Sequence, residues 1–209
     1  YCGVTPSDNA MSGNAVITID PLPTIDNLPA DYSVCAGDAT TLSVSGTASP
    51  PLGTYIWDQP GVTNGVAFTP GATALYTVTA TITATGCQSN GSVTITVNTL
   101  PTTTNAVSTF AYCAGTGGGS LTIGNSENNV DYTLKIGGIA QTTASGNGGL
   151  LTITGLPAAT YTITATNTVT TCTDDFPGNY VIEEKAIPQL APFAYDPSLC
   201  AGESTDLHA

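Results

Sequence analysis

The stretch Tyr76-Thr77-Val78-Thr79-Ala80-Thr81 decides the fold, and it recurs as Tyr161-Thr162-Ile163-Thr164-Ala165-Thr166. In both copies an apolar or aromatic residue alternates with threonine, which is the pattern of a β-strand with one face in a core and the other in water. Threonine, valine, isoleucine and tyrosine also favour strands. We therefore predict that the threonines face water and that Tyr76 and Tyr161 are core aromatic residues.

The two copies belong to a repeat of the whole chain. Each strand leads to a cysteine eleven residues after its tyrosine, and Cys2, Cys87 and Cys172 are spaced 85 residues apart. A second series is interleaved with the first, because the tripeptide Cys-Ala-Gly begins at Cys35, at Cys113 and at Cys200. Self-similarity at a fixed period is typical of an array of structural repeats.

Proline-containing junctions divide the repeats. Leu22-Pro23, Leu100-Pro101 and Ile187-Pro188 each follow a strand-like segment that comes after a cysteine of the first series. We therefore predict two complete repeats, at residues 23–100 and 101–188. Residues 1–22 are interpreted as the C-terminal part of a preceding repeat, and residues 189–209 as the N-terminal part of a following one.

The fold class follows from the length and the pattern of the repeats. Units of 80 to 90 residues with about seven short alternating strands, dense turn signals and no helical stripe predict an all-β chain of tandem immunoglobulin-like antiparallel β-sandwich domains in an extended array. Trp57 lies 22 residues after Cys35, much like the core tryptophan on the third strand of immunoglobulin domains. Trp57 is therefore a predicted core aromatic residue.

Six cysteines indicate an oxidising, extracellular compartment. Because each complete repeat contains two cysteines, we predict the disulfides Cys35–Cys87 and Cys113–Cys172. Cys2 and Cys200 would then form disulfides with cysteines outside this sequence. The alternative is a Cys2–Cys200 bridge, or free thiols at these two positions.

Charge and motifs exclude several functions. Fifteen acidic and only two basic residues give a net charge of −13, which argues against nucleic-acid binding and against docking on anionic membranes. The single histidine, His208, cannot supply a catalytic triad to each repeat. We therefore predict no catalytic residues and no enzymatic activity.

Calcium is the one cofactor that the acidic residues suggest, because hard cations need several oxygen ligands and several carboxylates lie close to the junctions. The candidate ligands are Asp20, Asp26, Asp31, Glu183, Glu184 and Asp196. No motif of fixed spacing supports this site, and the alternative is a solvated acidic linker without a bound metal.

The repeat resembles a known family. Cys-Ala-Gly, Trp57, the segment Phe68-Thr69-Pro70-Gly71, the Tyr76 strand and Gly86-Cys87 look like the immunoglobulin-like or PKD-like repeats of giant Bacteroidota surface adhesins, including the SprB-like gliding-motility adhesins. The resemblance covers residues 23–188, and the second repeat lacks the tryptophan. It implies export by type IX secretion, location on the outer cell surface and contact with surface polysaccharide.

The expected function is a structural segment of a long extracellular adhesin or filament, acting as a stalk or adhesive fibre without catalysis. Neighbouring repeats of the same chain or filament are the expected partners, with surface polysaccharide as a further one. The alternative is a carbohydrate- or protein-binding module on the same β-sandwich scaffold, since a fold does not by itself define a function.

Overall fold

A computed structural model describes residues 19–47 and 53–188. This part of the chain consists of β-strands and turns and contains no helix, hence none of the length and hydrophobicity that a bilayer span requires. The first six strands are β1 (Tyr32–Cys35), β2 (Thr40–Thr41), β3 (Thr54–Trp57), β4 (Ala67–Phe68), β5 (Ala74–Thr81) and β6 (Gln88–Asn98). The remaining strands are β7 (Val107–Phe110), β8 (Tyr112–Cys113), β9 (Gly119–Ile123), β10 (Val130–Ile136), β11 (Ile139–Ser145), β12 (Leu151–Leu156), β13 (Ala159–Asn167), β14 (Thr173–Asp175), β15 (Tyr180–Ile182) and β16 (Glu184–Lys185).

Strands β1 to β6 form the first sandwich. One sheet has the order β1-β6-β5-β3, in which β5 and β6 are an antiparallel hairpin and β1 lies parallel to the last part of β6. The opposite side is made by the short antiparallel pair β2–β4 and by a single bridge between Asp26 and Ser45. The chain from Asp26 to Cys35 therefore contributes first to one side, through the bridge to Ser45, and then to the other, through β1.

Strands β7 to β16 form the second sandwich with the same plan. One sheet has the order β11-β10-β13-β14, and β15 also pairs with β13. The opposite sheet has the order β12-β9-β7. The short strand β8 lies parallel to β16, as β1 does to β6. Two mainly antiparallel sheets with this strand arrangement make an immunoglobulin-like sandwich, so the predicted fold class is confirmed.

Each sandwich has its own hydrophobic core. The first contains Trp57, Tyr76 and Val78 among its buried residues, and the second contains Leu134, Tyr161 and Ile163. Along β5 the buried residues alternate with half-buried threonines, which confirms the predicted orientation of this strand. The two clusters share no residue. The domain limits at residues 22, 100 and 188 stay a prediction.

Tyr161 anchors the start of β13 as well as packing in the core. Its hydroxyl donates a hydrogen bond to the carbonyl oxygen of Pro157, 3.0 Å away and four residues upstream. Burial, with a smaller contribution from Tyr112, raises the pKa of this hydroxyl, which therefore stays protonated and able to donate. This contact resembles the tyrosine corner of immunoglobulin-like domains, in which a tyrosine hydroxyl bonds to the backbone a few residues upstream.

Replacing Tyr161 with phenylalanine should lower the free energy of unfolding by about 1 kcal/mol, because it removes this hydrogen bond and leaves the Pro157 carbonyl without its donor. Urea denaturation monitored by circular dichroism measures the change. Tyr76→Phe is the matched control, since the Tyr76 hydroxyl makes no hydrogen bond to any residue that the structure describes. Equal losses in the two variants would contradict the role given to the Tyr161 hydroxyl.

Candidate functional site

A disulfide bond joins the two sandwiches. It links Cys35 at the end of β1 to Cys172 in the turn between β13 and β14, with the two Cα atoms 5.6 Å apart. The two cysteines are 137 residues apart in the sequence. The bond therefore closes the junction between the sandwiches and does not lie inside either one.

The predicted disulfide Cys35–Cys87 is wrong. Cys35 lies beside Asn98, where β6 ends, whereas Cys87 directly precedes Gln88, where β6 begins. Eleven strand residues separate the two ends, roughly 35 Å at the usual rise of a β-strand. Bridged Cα atoms lie within about 7 Å of each other, so the pairing is geometrically impossible. Cys87 is disulfide-bonded, but not to Cys35.

The predicted disulfide Cys113–Cys172 is wrong for the same reason. Cys172 lies next to Asn167, the last residue of β13. Cys113 pairs with Lys185, which lies beyond the other end of β13. Cys113 is an exposed free thiol in the described part of the chain. The bridges predicted for Cys2 and Cys200, and the alternative bridge between them, lie outside the described residues.

The Cys-Ala-Gly turn presents Cys35 at the downstream end of the first sandwich. The amide of Ala36 donates to the carbonyl of Asn98 at 2.8 Å, and the amide of Asp38 donates back to the carbonyl of Cys35 at 3.0 Å. Gly37 has a φ of +91°, in the left-handed region that residues with a Cβ rarely adopt. The glycine of the tripeptide therefore allows the turn that exposes the cysteine.

The hairpin turn between β13 and β14 presents Cys172 from the second sandwich. The side-chain oxygen of Asn167 accepts hydrogen bonds from the amides of Val169 and Thr170 at 2.9 and 3.0 Å. The amide of Asn167 donates to the carbonyl of Cys172 at 2.8 Å. Cys172 is 1% exposed. The turn is thus held by its own hydrogen bonds and places a buried sulfur against the first sandwich.

The segment between the sandwiches is attached to the second one. The amide of Thr102 donates to a carboxylate oxygen of Glu127 at 2.6 Å, and the hydroxyl of Thr103 donates to Asp174 at 3.0 Å. Asp174 lies two residues after Cys172, in β14. The peptide connection and the disulfide therefore meet the second sandwich at the same end.

A shallow cleft of about 410 Å³ lies beside the disulfide. Its lining combines six residues of the first sandwich with two of the hairpin turn of the second. The lining residues are Ser33, Val34, Cys35, Asp38, Ala39, Asn98, Thr170 and Thr171. This lining shows that the two sandwiches meet at the disulfide.

The candidate calcium ligands that the structure describes form no group of three. Asp31 accepts a hydrogen bond from the amide of Thr94, and Glu183 pairs with Lys185 at 3.2 Å. Across residues 19–47 and 53–188, no group of three acidic, histidine or cysteine side chains could hold a metal ion. Of the other candidates, Asp20, Asp26 and Glu184 lie within these ranges, and Asp196 lies outside the described residues.

The predicted core aromatic residues lie where their strands place them. Trp57, Tyr76 and Tyr161 are each at most 5% exposed. The indole nitrogen of Trp57 and the hydroxyl of Tyr55 are buried without a hydrogen-bond partner among the described residues. In the second sandwich, Tyr132 takes the position of Tyr55 and its hydroxyl accepts a hydrogen bond from the amide of Glu127.

Comparisons with known proteins give structural likeness only. No family model and no curated protein matches the sequence. Among solved structures, titin domains I67–I69 match at 16% identity and a TM-score of 0.46, over 78% of this chain and 66% of that one. The N-terminal eight Ig domains of the Down Syndrome Cell Adhesion Molecule match at 19% identity and a TM-score of 0.48, over 77% of this chain and 27% of that one. Extracellular domains 3–5 of Drosophila OTK match at 12% identity and a TM-score of 0.46, over 79% of this chain and 63% of that one.

Proposed function

We propose that this chain is a segment of an extracellular array of sandwich repeats that serves as a stalk or adhesive fibre without catalysis. A disulfide bond closes the junction between its repeats. The observation that carries the proposal is the Cys35–Cys172 bond between two sandwiches. A disulfide within a sandwich would stabilise that domain alone. A disulfide between sandwiches also limits how far they can separate.

The bond changes the path that a pulling force takes through the chain. Tension enters the first sandwich through β1, crosses from Cys35 to Cys172 and leaves along β14 to β16. The 136 residues between the two cysteines, which include most of both cores, lie outside this path. A fibre built in this way resists extension even when a sandwich unfolds.

The disulfide also supports the extracellular location, because such bonds form and persist in oxidising compartments. The net charge of −13 and the threonine-rich exposed strand faces suit a surface that stays soluble at high local density. Secretion by a type IX system and a role in gliding belong to the family resemblance and remain part of the proposal.

Electron microscopy of the parent protein, purified from its source and labelled with an antibody to residues 101–188, tests the proposed function. We expect a thin fibre of regularly spaced beads, each of the size of one sandwich. A compact globular particle would contradict the array.

A further inference from the structure

Cys113 occupies the same structural position as Cys35. Each cysteine ends a short strand that lies parallel to the last strand of its sandwich, opposite Asn98 for Cys35 and opposite Lys185 for Cys113. Cys35 is joined to the next sandwich, whereas Cys113 is an exposed free thiol in the described part of the chain.

The turn that follows is also the same. The amide of Ala114 donates to the carbonyl of Lys185 at 2.9 Å, as the amide of Ala36 does to Asn98 at 2.8 Å. The amide of Thr116 donates back to Cys113 at 3.1 Å. Gly115 has a φ of +82°, close to the +91° of Gly37. The backbone therefore presents the Cys113 thiol in the conformation that holds a disulfide in the first sandwich.

The partner of such a thiol is also defined by the repeat. In the first sandwich, the amide of Ile82 donates to the carbonyl of Cys87 across a turn in which Gly86 has a positive φ. In the second, the amide of Asn167 donates to Cys172 across a turn in which Thr171 has a positive φ. Both hairpins thus present a buried cysteine at the upstream end of their sandwich. In the second sandwich, this is the end that is joined to the Cys-Ala-Gly turn of the first.

We propose that the end of the second sandwich around Cys113 is a docking surface for a following sandwich of the same repeat type, and that Cys113 forms a disulfide with the hairpin cysteine of that sandwich. This inference rests on the proposed array and names the partner of its junctions. The argument for this occupant is the Cys35–Cys172 junction, which shows the same turn joined to the same hairpin.

The bond would give the fibre a second covalent path. Cys87 is itself disulfide-bonded, and the segment from Cys87 to Cys113 runs along β6, through the junction and along β7 and β8. Its 26 peptide steps span at most about 90 Å when fully extended, and much of the segment is already strand. With Cys113 bonded, this segment would carry load past both sandwiches.

Inserting a second copy of residues 102–188 directly after Pro188 tests the proposal. Pro188 stands three residues after Lys185, as Pro101 stands three residues after Asn98, so the insertion reproduces the natural junction. Oxidised glutathione supplies the oxidant. The two thiols lose two protons and two electrons as their sulfur–sulfur bond forms, and glutathione disulfide becomes two molecules of glutathione.

Iodoacetamide labelling without reduction, followed by peptide mapping, gives the readout. We expect Cys113 to be labelled in the original chain. In the extended chain we expect the first Cys113, in the peptide that begins at Asp58 after cleavage before aspartate, to be unlabelled and linked to Cys172 of the inserted copy, while the Cys113 of the inserted copy is labelled. Replacing only that inserted Cys172 with serine is the matched control and should restore labelling of Cys113. An intact Cys35–Cys172 bond in every variant shows that the first junction has formed.

Labelling of the first Cys113 in the extended chain, or its linkage to any other cysteine, would overturn the inference. That result is distinguishable from failure of the proposed function. A beaded fibre in which Cys113 is free would support the proposed array and would contradict only the proposed Cys113 disulfide.

Discussion

Reduction of the chain should lengthen it under tension by about 450–490 Å. The Cys35–Cys172 bond removes 137 peptide steps from the stretched path, each of which can span about 3.3–3.6 Å. With handles at Ala30 and Lys185, both exposed and outside the bonded cysteines, single-molecule force spectroscopy should record little extension of the oxidised chain and unfolding of both sandwiches after a reductant is added.

The control for this measurement is Cys113→Ser, which changes a free thiol and leaves the junction bond in place. It should extend like the unmodified chain before and after reduction. An oxidised chain that extends as far as the reduced one would show that Cys35–Cys172 does not carry the load.

Trp57→Ala should destabilise the first sandwich by about 3–5 kcal/mol, the usual cost of removing a large buried aromatic side chain. The effect should be local, because the core of the second sandwich shares no residue with the first and the disulfide joins the two only at the junction. Hydrogen exchange should show loss of protection at Val78 and Ile95, with protection kept at Tyr132 and Ile163.

Leu134→Ala is the matched variant for the second sandwich, because Leu134 pairs with Ile163 as Trp57 pairs with Val78. Leu134→Ala should remove protection in the second sandwich and keep it in the first, and should lower the stability of the second sandwich by about 2–5 kcal/mol. Loss of protection in both sandwiches from either substitution would contradict the independence of the two cores.

The fold was predictable from the sequence because the strands have clear signals. Alternation of apolar residues with threonine at Tyr76 and Tyr161 defines strands with one buried face, and the structure places the buried residues on the predicted side. The turn glycines of Cys-Ala-Gly, Gly37 and Gly115, mark tight turns and have positive φ.

The disulfide pairing was not predictable from counting two cysteines per repeat. A cysteine of an immunoglobulin-like core lies two residues after the tyrosine of the corner, and here those positions are Val78 and Ile163, both buried. The cysteines stand eleven residues after each tyrosine and therefore beyond the strand. That spacing indicates cysteines at the ends of the sandwiches and not in their cores.

The partner of each end could not be identified without the topology. Only the parallel pairing of β1 with the last part of β6 shows that Cys35 lies downstream, and only the hairpin shows that Cys172 lies upstream. The candidate calcium ligands gain no support from the described residues, for a related reason. Closeness in sequence to a junction does not bring carboxylates together, and those of Asp31 and Glu183 have other partners.

Disulfide mapping of the unreduced protein tests the central claim most directly. Cleavage before aspartate releases Cys35 in peptide 31–37 and Cys172 in peptide 131–173, while Cys87 and Cys113 stay together in peptide 58–130. The Cys35–Cys172 bond between the sandwiches predicts that peptide 31–37 is linked to peptide 131–173. Linkage of peptide 58–130 to both of them, with none between 31–37 and 131–173, would contradict it.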